Sequence, residues 1–255
     1  MPIRVFSAPL EITQMRERKS ETEIQILKCV NEVTLLAIRD VHKKLVPGIH
    51  ESYARSMMST ALGAAGLKDG GCLTLFGENA ALPHGSGTDR ILSVSDFVLF
   101  DCTASLHGYY SDITRTIALS RTAPLSTKQV DLWYRVRAAQ LVAVNTARNG
   151  IRTAAVDAAA RATLRATLRA GGGWDRYFTH RLGHGIGLEV HEAPYLRGGS
   201  DDLIQIGHTF SDEPGVYIEG EVGVRLEDCF FINADGVGEF LTAGVGGLST
   251  APWLP

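Results

Sequence analysis

Residues 101–116 read DCTASLHGYYSDITRT, and their pattern predicts a β-hairpin at the centre of the fold. The apolar residues before Asp101 indicate one strand, and the residues after the turn at 105–108 indicate a second. If the turn centres immediately after Leu106, Asp101 faces Asp112. Opposed residues of an antiparallel pair share one face, with Cβ atoms about 5 Å apart. Two such carboxylates repel each other, so the pair predicts a bound cation.

A similar arrangement recurs in residues 213–228, which read EPGVYIEGEVGVRLED. The Glu-Gly-Glu turn centres on Gly220, so Glu213 and Glu227, each seven residues away, are predicted to face each other. For each pair the alternative is that the acids belong to a turn or to a solvated surface. Two independent hairpins with the same feature favour a shared cation site.

Asp212 and Glu213 are neighbouring acids that the strand pattern separates. Successive side chains of a strand point to opposite faces. If Glu213 faces the cation site, Asp212 faces away from it and opposes Asp228 in the same register.

A histidine-rich segment lies between the two hairpins. Residues 179–194 read THRLGHGIGLEVHEAP and contain His180, His184 and His191. The glycines around His184 allow close backbone approach and leave room for its imidazole. Three histidines so near each other favour a metal or catalytic site over isolated core histidines. His84, in LPHGSG, is a weaker candidate, because an ordinary loop histidine explains it equally well.

Helix patterns alternate with strand patterns along the chain, and the order predicts an α+β fold in one domain. Strand and turn patterns occupy about 72–119 and 177–241, and two helices precede each region. No sequence repeat relates the two halves. The predicted helices span Ser20 to about Pro47, Glu51 to Ala65, Ser126 or Thr127 to Arg148, and Thr153 to Ala170.

Composition bounds the classes of function. The chain has 255 residues, and its formal net charge of −3 does not favour nucleic acid or an anionic membrane as a partner. No segment approaches the roughly 18 apolar residues of a membrane span, and the first residues lack a signal-peptide pattern. The cysteines lack CxxC spacing and predict reduced thiols in a cytoplasmic protein. They are Cys29, Cys72, Cys102 and Cys229.

Together these residues resemble the ligand pattern of the pita-bread metallopeptidases, a family that includes methionine aminopeptidase, prolidase, aminopeptidase P and creatinase. That pattern has two aspartates eleven residues apart, a histidine in a GHGIG-like segment, and glutamates in EPG-like and RxED-like segments. The resemblance covers the chain from about Arg16 to its end. It implies two pseudo-symmetric α+β halves with the site on a central curved antiparallel sheet. The matching ligands are Asp101, Asp112, His184, Glu213 and Glu227.

The motifs PHG, HRLGHGIG, HEAP, EPGVY and GVRLED are most similar to those of the prolidase and aminopeptidase P branch. This resemblance implies hydrolysis of the peptide bond before proline in small peptides. Members of that branch usually carry an N-terminal domain, which often forms a dimer contact. Here residues 1–19 resemble a linker and 20–255 a catalytic domain. The expectation is therefore a chain without the N-terminal domain, and a homodimer stays open.

The resemblance also implies how the ligands divide between two metal ions. Asp112 and Glu227 would bridge both ions, Asp101 would bind one, and His184 with Glu213 would bind the other. A hydroxide bridging the two ions would then attack the peptide bond. The oxygen-rich donors favour Mn²⁺, with Co²⁺, Fe²⁺ or Zn²⁺ as alternatives.

Catalytic and substrate roles follow from the same resemblance. Glu213 would carry a proton to the leaving nitrogen, with His191 and His84 beside the tetrahedral intermediate. His84, His180 and Arg225 would hold the proline or the substrate carboxylate. The alternatives are a creatinase-like or lyase-like enzyme acting on a non-peptide small molecule, and a non-catalytic binding module. The presence of all five ligands argues against the module.

Overall fold

A computed structural model of the chain describes residues 9–166 and 172–255. Helices and antiparallel strands alternate in these ranges, in agreement with the predicted α+β class. The helices are α1 (Leu10–Glu17), α2 (Glu21–His42), α3 (Glu51–Ala64), α4 (Thr127–Thr146) and α5 (Thr153–Arg165). The strands are β1 (Lys68–Phe76), β2 (Phe97–Leu106), β3 (Tyr109–Ala118), β4 (Gly183–Gly185), β5 (Glu192–Leu196), β6 (Thr209–Asp212), β7 (Gly215–Ile218), β8 (Val222–Arg225), β9 (Asp228–Ile232) and β10 (Gly238–Phe240).

Two helices begin at the capping residues that the sequence predicts. Ser20 accepts from the backbone N–H of Glu23, and the Glu23 carboxylate accepts from the backbone of Ser20 in return. Ser126 and Gln129 form the same reciprocal pair at the start of α4. In the part of the chain that the structure describes, no helix is both long and apolar enough to cross a membrane.

Two predicted segments lie partly outside the described residues. They are residues 1–8 of the expected linker and the continuation of the fourth helix over 167–170. The rest of the expected linker contains helix α1, which packs beside β5. The Arg16 side chain holds it there through an ion pair with Glu192 at 3.1 Å, an interaction between segments far apart in the sequence.

The strands form three antiparallel groups that meet near the middle of the molecule. Their orders are β1-β2-β3, β10-β9-β6-β4-β5 and β7-β8. An isolated bridge joins Thr114 of β3 to Glu227, which lies between β8 and β9 and so links the first group to the other two. The central sheet expected from the sequence therefore consists of separate ladders that converge on this bridge.

Each half of the chain has its own hydrophobic core. Helices α2 and α3 cover β1–β3 and bury residues such as Ile38, Met58 and Phe100. Helices α4 and α5 cover the later strands and bury Trp133 and Phe210. Each large apolar side chain contributes roughly 1.5–3 kcal/mol when fully buried, so the two cores hold the strands between them in place.

The structure differs from the prediction that all cysteines are reduced. Cys72 on β1 and Cys102 on β2 are directly opposed and form a disulfide. They are 30 residues apart, and only the strand register brings them together, so CxxC spacing could not reveal the pair. Cys29 and Cys229 are free thiols.

A buried arginine links the two halves behind the ladders. Arg115 on β3 is fully buried and donates to the carbonyl oxygen of Glu227 at 2.7 Å and to the Asp228 carboxylate at 2.8 Å. The same carboxylate accepts hydrogen bonds from Gln140 and Thr242. Both charges are enclosed, so removing one partner leaves the other buried without compensation.

We expect Arg115→Met to lower the free energy of unfolding by about 3–5 kcal/mol, because Asp228 stays buried without its cation. Urea unfolding at neutral pH measures the change. Arg121→Met is the matched control, since it removes the same charge from an exposed position just after β3 and should change stability by less than about 0.5 kcal/mol. Equal effects of the two substitutions would contradict a structural role for the buried pair.

Candidate metal centre

The first hairpin turns one residue later than the sequence analysis assumed. His107 and Gly108 form a two-residue loop with φ of 52° and 85°, and Leu106 pairs with Tyr109. Positive φ at both positions gives a turn whose twist matches that of the flanking strands. A His-Gly dipeptide is not among the usual sequence signals for this turn, so the register was misassigned.

The corrected register changes which residues oppose the two aspartates. Asp101 pairs with Thr114, and Asp112 pairs with Thr103, so the predicted pairing of Asp101 with Asp112 is wrong. The error is a shift of two residues in the partner, and side chains alternate with a period of two. The two carboxylates therefore still lie on the same face and approach each other diagonally.

The second hairpin has the predicted register. Strands β7 and β8 pair symmetrically about Gly220, and β6 and β9 continue that register, so that Asp212 opposes Asp228. The ladder is interrupted between these two pairs of strands, at Glu213 and Glu227. The two glutamates therefore lie where their carboxylates can turn toward the first hairpin.

His184 on β4 presents a nitrogen lone pair to the neighbouring carboxylates, an arrangement that a bound cation would suit. The ring is 1% exposed, and Nδ1 lies 3.0 Å from the carbonyl oxygen of Gly185. That oxygen can only accept, so Nδ1 carries the proton and Nε2 presents a lone pair. Nε2 lies 3.3 Å from Glu213 and 3.6 Å from Asp112. Burial lowers the pKa of His184 to about 3, so a neutral ring faces carboxylates that cannot donate to it when ionised.

The donor atoms form three overlapping groups, of which one consists of Asp112, His184 and His191 and the other two share one carboxylate. Asp101, Asp112 and Glu227 place one ligand atom each within 4.8 Å of one another, as do His184, Glu213 and Glu227. Glu227 belongs to both groups, and Asp112 also approaches His184. A pair of neighbouring cations with two shared carboxylates fits this arrangement.

Burial and mutual repulsion favour the protonated form of these acids in the protein alone. Burial raises the pKa of Asp112 and Glu227 well above the usual range, and each of the two carboxylates is further raised by its acidic neighbours. Burial also raises the pKa of Glu213 to about 7. A bound divalent cation would reverse these effects, because metal ligands must be deprotonated.

A cavity of about 230 Å³ opens onto these ligands. All nine residues predicted to form the site line it, and Pro83 and Arg181 line it as well. The nine are His84, Asp101, Asp112, His180, His184, His191, Glu213, Arg225 and Glu227.

The side chain of Arg225 is held inside the protein. It is 3% exposed, and its guanidinium donates to Asp101 at 2.6 Å, to the Tyr217 hydroxyl at 2.9 Å and to Thr114 Oγ1 at 3.2 Å. The Tyr217 hydroxyl also lies 2.7 Å from Nε2 of His180. One wall of the cavity is therefore a connected chain of polar contacts that ends on Asp101.

Two residues of this site were not identified from the sequence. Tyr217 lies two and four residues after Gly215 and Glu213, so strand alternation could have placed it on the same face. Burial raises its pKa to about 12, so the hydroxyl stays protonated. Arg181 follows His180 in the motif HRLGHGIG, in which the histidines and glycines give the clearer signal of a site.

The pairing of Asp212 with Asp228 places both on the face opposite the ligands, as the alternation predicts. Asp212 is fully buried, and neither carboxylate oxygen has a hydrogen-bond partner among the described residues. Burial raises its pKa well above the usual range, helped by Asp228 and Glu213. Burial therefore favours the protonated form of Asp212, which the strand itself separates from the cavity.

Comparison with known proteins assigns the chain to one family, and the matched residues include the whole site. The model of metallopeptidase family M24 matches residues 25–234. An uncharacterized peptidase of Schizosaccharomyces pombe is 38% identical over 88% of this chain and 49% of its own length. The Xaa-Pro dipeptidase of Lactobacillus delbrueckii subsp. lactis is 34% identical over 90% of this chain and 61% of its own.

Among solved structures, the X-Pro aminopeptidase from Thermotoga maritima superimposes with a TM-score of 0.84 at 30% sequence identity, over 91% of this chain and 64% of that one. The chain thus spans between about half and two thirds of the length of these similar proteins. The fold agrees with the pita-bread architecture that the sequence motifs predict.

We expect chelator-treated protein to bind about two Mn²⁺ per chain and to melt at a higher temperature when it does. A ligand that binds only the folded state stabilises it by about 2.7 kcal/mol at a hundredfold excess over its Kd. Elemental analysis and thermal melting measure both effects. Glu227→Gln should reduce both, whereas Glu219→Gln, an exposed acid in the turn, should leave them unchanged. A melting temperature insensitive to Mn²⁺ would contradict the assignment.

Proposed function

Because this chain belongs to metallopeptidase family M24, we propose that it hydrolyses the peptide bond before proline, as an Xaa-Pro dipeptidase or aminopeptidase. Two of the similar proteins carry these names, one a dipeptidase and the other an aminopeptidase. The observation that carries the proposal is the convergence of two ligand groups on Glu227, beside three histidines and two arginines in one cavity.

The roles proposed for the ligands are those that the family resemblance implies, and the positions of the side chains support them. Asp112 and Glu227 would be shared between two divalent ions, with Asp101 on one and His184 and Glu213 on the other. When bound, the ions would polarise the scissile carbonyl and lower the pKa of the attacking water. The abundance of carboxylate oxygens supports Mn²⁺ as the metal.

Glu213 is the proposed proton carrier. Its carboxylate lies at the edge of the ligand group, and its partly exposed side chain borders the cavity. From there it would take the proton of the attacking water and pass it to the proline nitrogen, which is a poor leaving group until it is protonated.

His191 and His84 are proposed to stabilise the oxygen on which negative charge develops. The ring of His191 lies 4.2 Å from that of His184, centroid to centroid, and is more exposed. His84 lines the same cavity from the loop after Leu82. Both imidazoles could donate a hydrogen bond toward the space above the ligands without replacing a contact that holds the fold.

His180 and Arg225 form the proposed proline side of the cavity, joined by the Tyr217 hydroxyl. The guanidinium of Arg225 is occupied by protein groups, so we assign it the orientation of Asp101 and Tyr217 in addition to shaping this wall. A small peptide is the proposed partner, and a homodimer stays a prediction. A cytoplasmic location also stays a prediction, and it no longer rests on reduced cysteines because Cys72 is paired with Cys102.

The neighbouring acids Asp212 and Glu213 should respond very differently when the carboxyl group of each is replaced by an amide. We expect Glu213→Gln to lower kcat at least ~10²-fold, because it removes a ligand and the general base. Asp212→Asn should stay within a fewfold of the parent, since burial favours the protonated form of Asp212 and its side chain faces away from the cavity. Steady-state kinetics with metal content measured in parallel test this pair. The opposite ranking would mean that the strand register is off by one residue.

A substrate panel tests the proposed specificity. We expect hydrolysis of Leu-Pro or Ala-Pro-Ala with Mn²⁺ present, and little activity on Met-Ala-Ser, because the motifs around His180 and Arg225 resemble those of the prolidase and aminopeptidase P branch. The initial rate of release of the N-terminal amino acid is the measurement. Cleavage of Met-Ala-Ser in preference to the proline peptides would contradict the proposal. Metal binding without hydrolysis of any peptide would favour a small-molecule substrate.

A further inference from the structure

Arg181 is a charged residue of the cavity wall that the proposed chemistry does not use. Its guanidinium lies over the ring of Tyr195, 5.1 Å from the centroid, and the residue is half-buried. Its Nε is buried and has no hydrogen-bond partner. Within residues 9–166 and 172–255, its side chain forms no hydrogen bond or ion pair. Buried N–H groups without a partner are rare in folded proteins.

The two arginines that line the cavity differ in what they can still bind. Arg225 directs all three of its guanidinium nitrogens to Asp101, Tyr217 and Thr114. Arg181 lies over the face of Tyr195, and its guanidinium donates no hydrogen bond to any of the described residues. Of these two arginines, Arg181 is the one with donors available to a ligand.

The charge balance of the site favours an anion near Arg181. Asp101, Asp112, Glu213 and Glu227 together carry four negative charges when ionised, which two divalent cations would neutralise. With those four carboxylates neutralised by the cations, Arg225 and Arg181 would together add two positive charges beside the cavity. The hydroxide of the proposed reaction would offset one of them, and one positive charge would be left for an anionic ligand.

The chemistry of the guanidinium selects a planar, two-oxygen anion. Its parallel N–H groups match the two oxygens of a carboxylate and bind it more strongly than neutral hydrogen bonds would. The cavity, at about 230 Å³, is smaller than the roughly 300–1,000 Å³ of pockets for drug-sized ligands. A cavity of this size encloses a small ligand.

We propose that Arg181 binds the C-terminal carboxylate of the substrate and that the preferred substrates are therefore free Xaa-Pro dipeptides. The inference rests on the proposed function and deepens it, because it selects a dipeptidase over an aminopeptidase of longer peptides. A longer peptide has an amide where the dipeptide has its carboxylate, and an amide neither neutralises Arg181 nor accepts its two donors on two oxygens.

The competing explanation is that Arg181 acts only through its charge on the metal ligands. Its positive charge lowers the pKa of Asp112 and of Glu213, although burial dominates both pKa values and raises them. An arginine acting in this way would affect every substrate equally, because the ligands are the same for each. A pair of substrates that differ only at the terminal carboxylate separates the two explanations.

The test compares Leu-Pro with Leu-Pro-amide in the Mn²⁺-loaded protein and in Arg181→Met. We expect the parent to prefer the acid, and the substitution to lower kcat/KM for the acid at least about tenfold, mainly through KM. The amide should change by less than about threefold, so that the preference collapses. Arg181→Lys keeps the positive charge but lacks the paired N–H donors of the guanidinium. It should therefore restore part of the activity on Leu-Pro that Arg181→Met loses.

Arg176→Met is the matched control. Arg176 lies five residues earlier and also lies over a tyrosine, with its guanidinium 4.8 Å from the ring centroid of Tyr177. It is exposed and is not among the residues that line the cavity. Its removal takes away the same charge and a similar ring contact, and should leave the preference for the acid unchanged. Thermal melting of each variant confirms that it is folded.

A binding measurement separates this inference from the proposed function. Calorimetric titration with L-proline and with L-prolinamide reports recognition of the carboxylate without turnover. Binding of proline that weakens in Arg181→Met supports the role of Arg181 even if no peptide is cleaved, which would overturn only the proposed function. Equal losses for acid and amide, or a parent without any preference for the acid, would overturn the role of Arg181.

Discussion

Repulsion between four carboxylates that line one cavity is the constraint on which the rest of this structure depends. Asp101, Asp112, Glu213 and Glu227 meet beside a neutral imidazole whose lone pair points among them. Such a cluster is unfavourable when all four acids are ionised, because like charges in a poorly solvated site repel strongly. The free energy gained by hydrophobic packing must therefore offset this repulsion. Two hydrophobic cores, one in each half, hold the strands that carry the four acids.

Strand alternation sorts the charges of this region into two layers. On the cavity side lie the residues that would hold the divalent cations. On the opposite side Asp212 and Asp228 are directly paired, and the charge there is met by Arg115, which also donates to the backbone of Glu227. A structural ion pair thus fixes the backbone of a ligand from behind. The two layers share a strand but not a cavity, so the buried arginine acts on the site through backbone position.

Much of this arrangement could be predicted from the sequence, and the failures have physical causes. The glutamate hairpin was placed correctly because a Glu-Gly-Glu turn has an evident centre at Gly220. The aspartate hairpin was misregistered because His107 adopts positive φ without the usual sequence signal. The prediction that Asp101 and Asp112 share one face of the sheet is still correct, because a shift of two residues preserves the alternation of side chains. The Cys72 disulfide and the contacts of Arg181 depend on register and on packing between distant segments, which local patterns do not contain.

Fold and ligand set together do not determine which peptide is cleaved. A dipeptidase and an aminopeptidase are both similar to this chain, at 34% and 30% identity, so the shared architecture cannot distinguish the two reactions. Both reactions need the same metal ligands and the same proton carrier, because the bond broken is the same. They differ only in what lies beyond the proline, a carboxylate or a further amide. The choice between a dipeptide and a longer peptide therefore depends on side chains of the cavity wall. The buried Arg225 already donates to Asp101. A discriminating group must have donors to spare and must be held in a fixed plane, and Arg181 on Tyr195 meets both requirements.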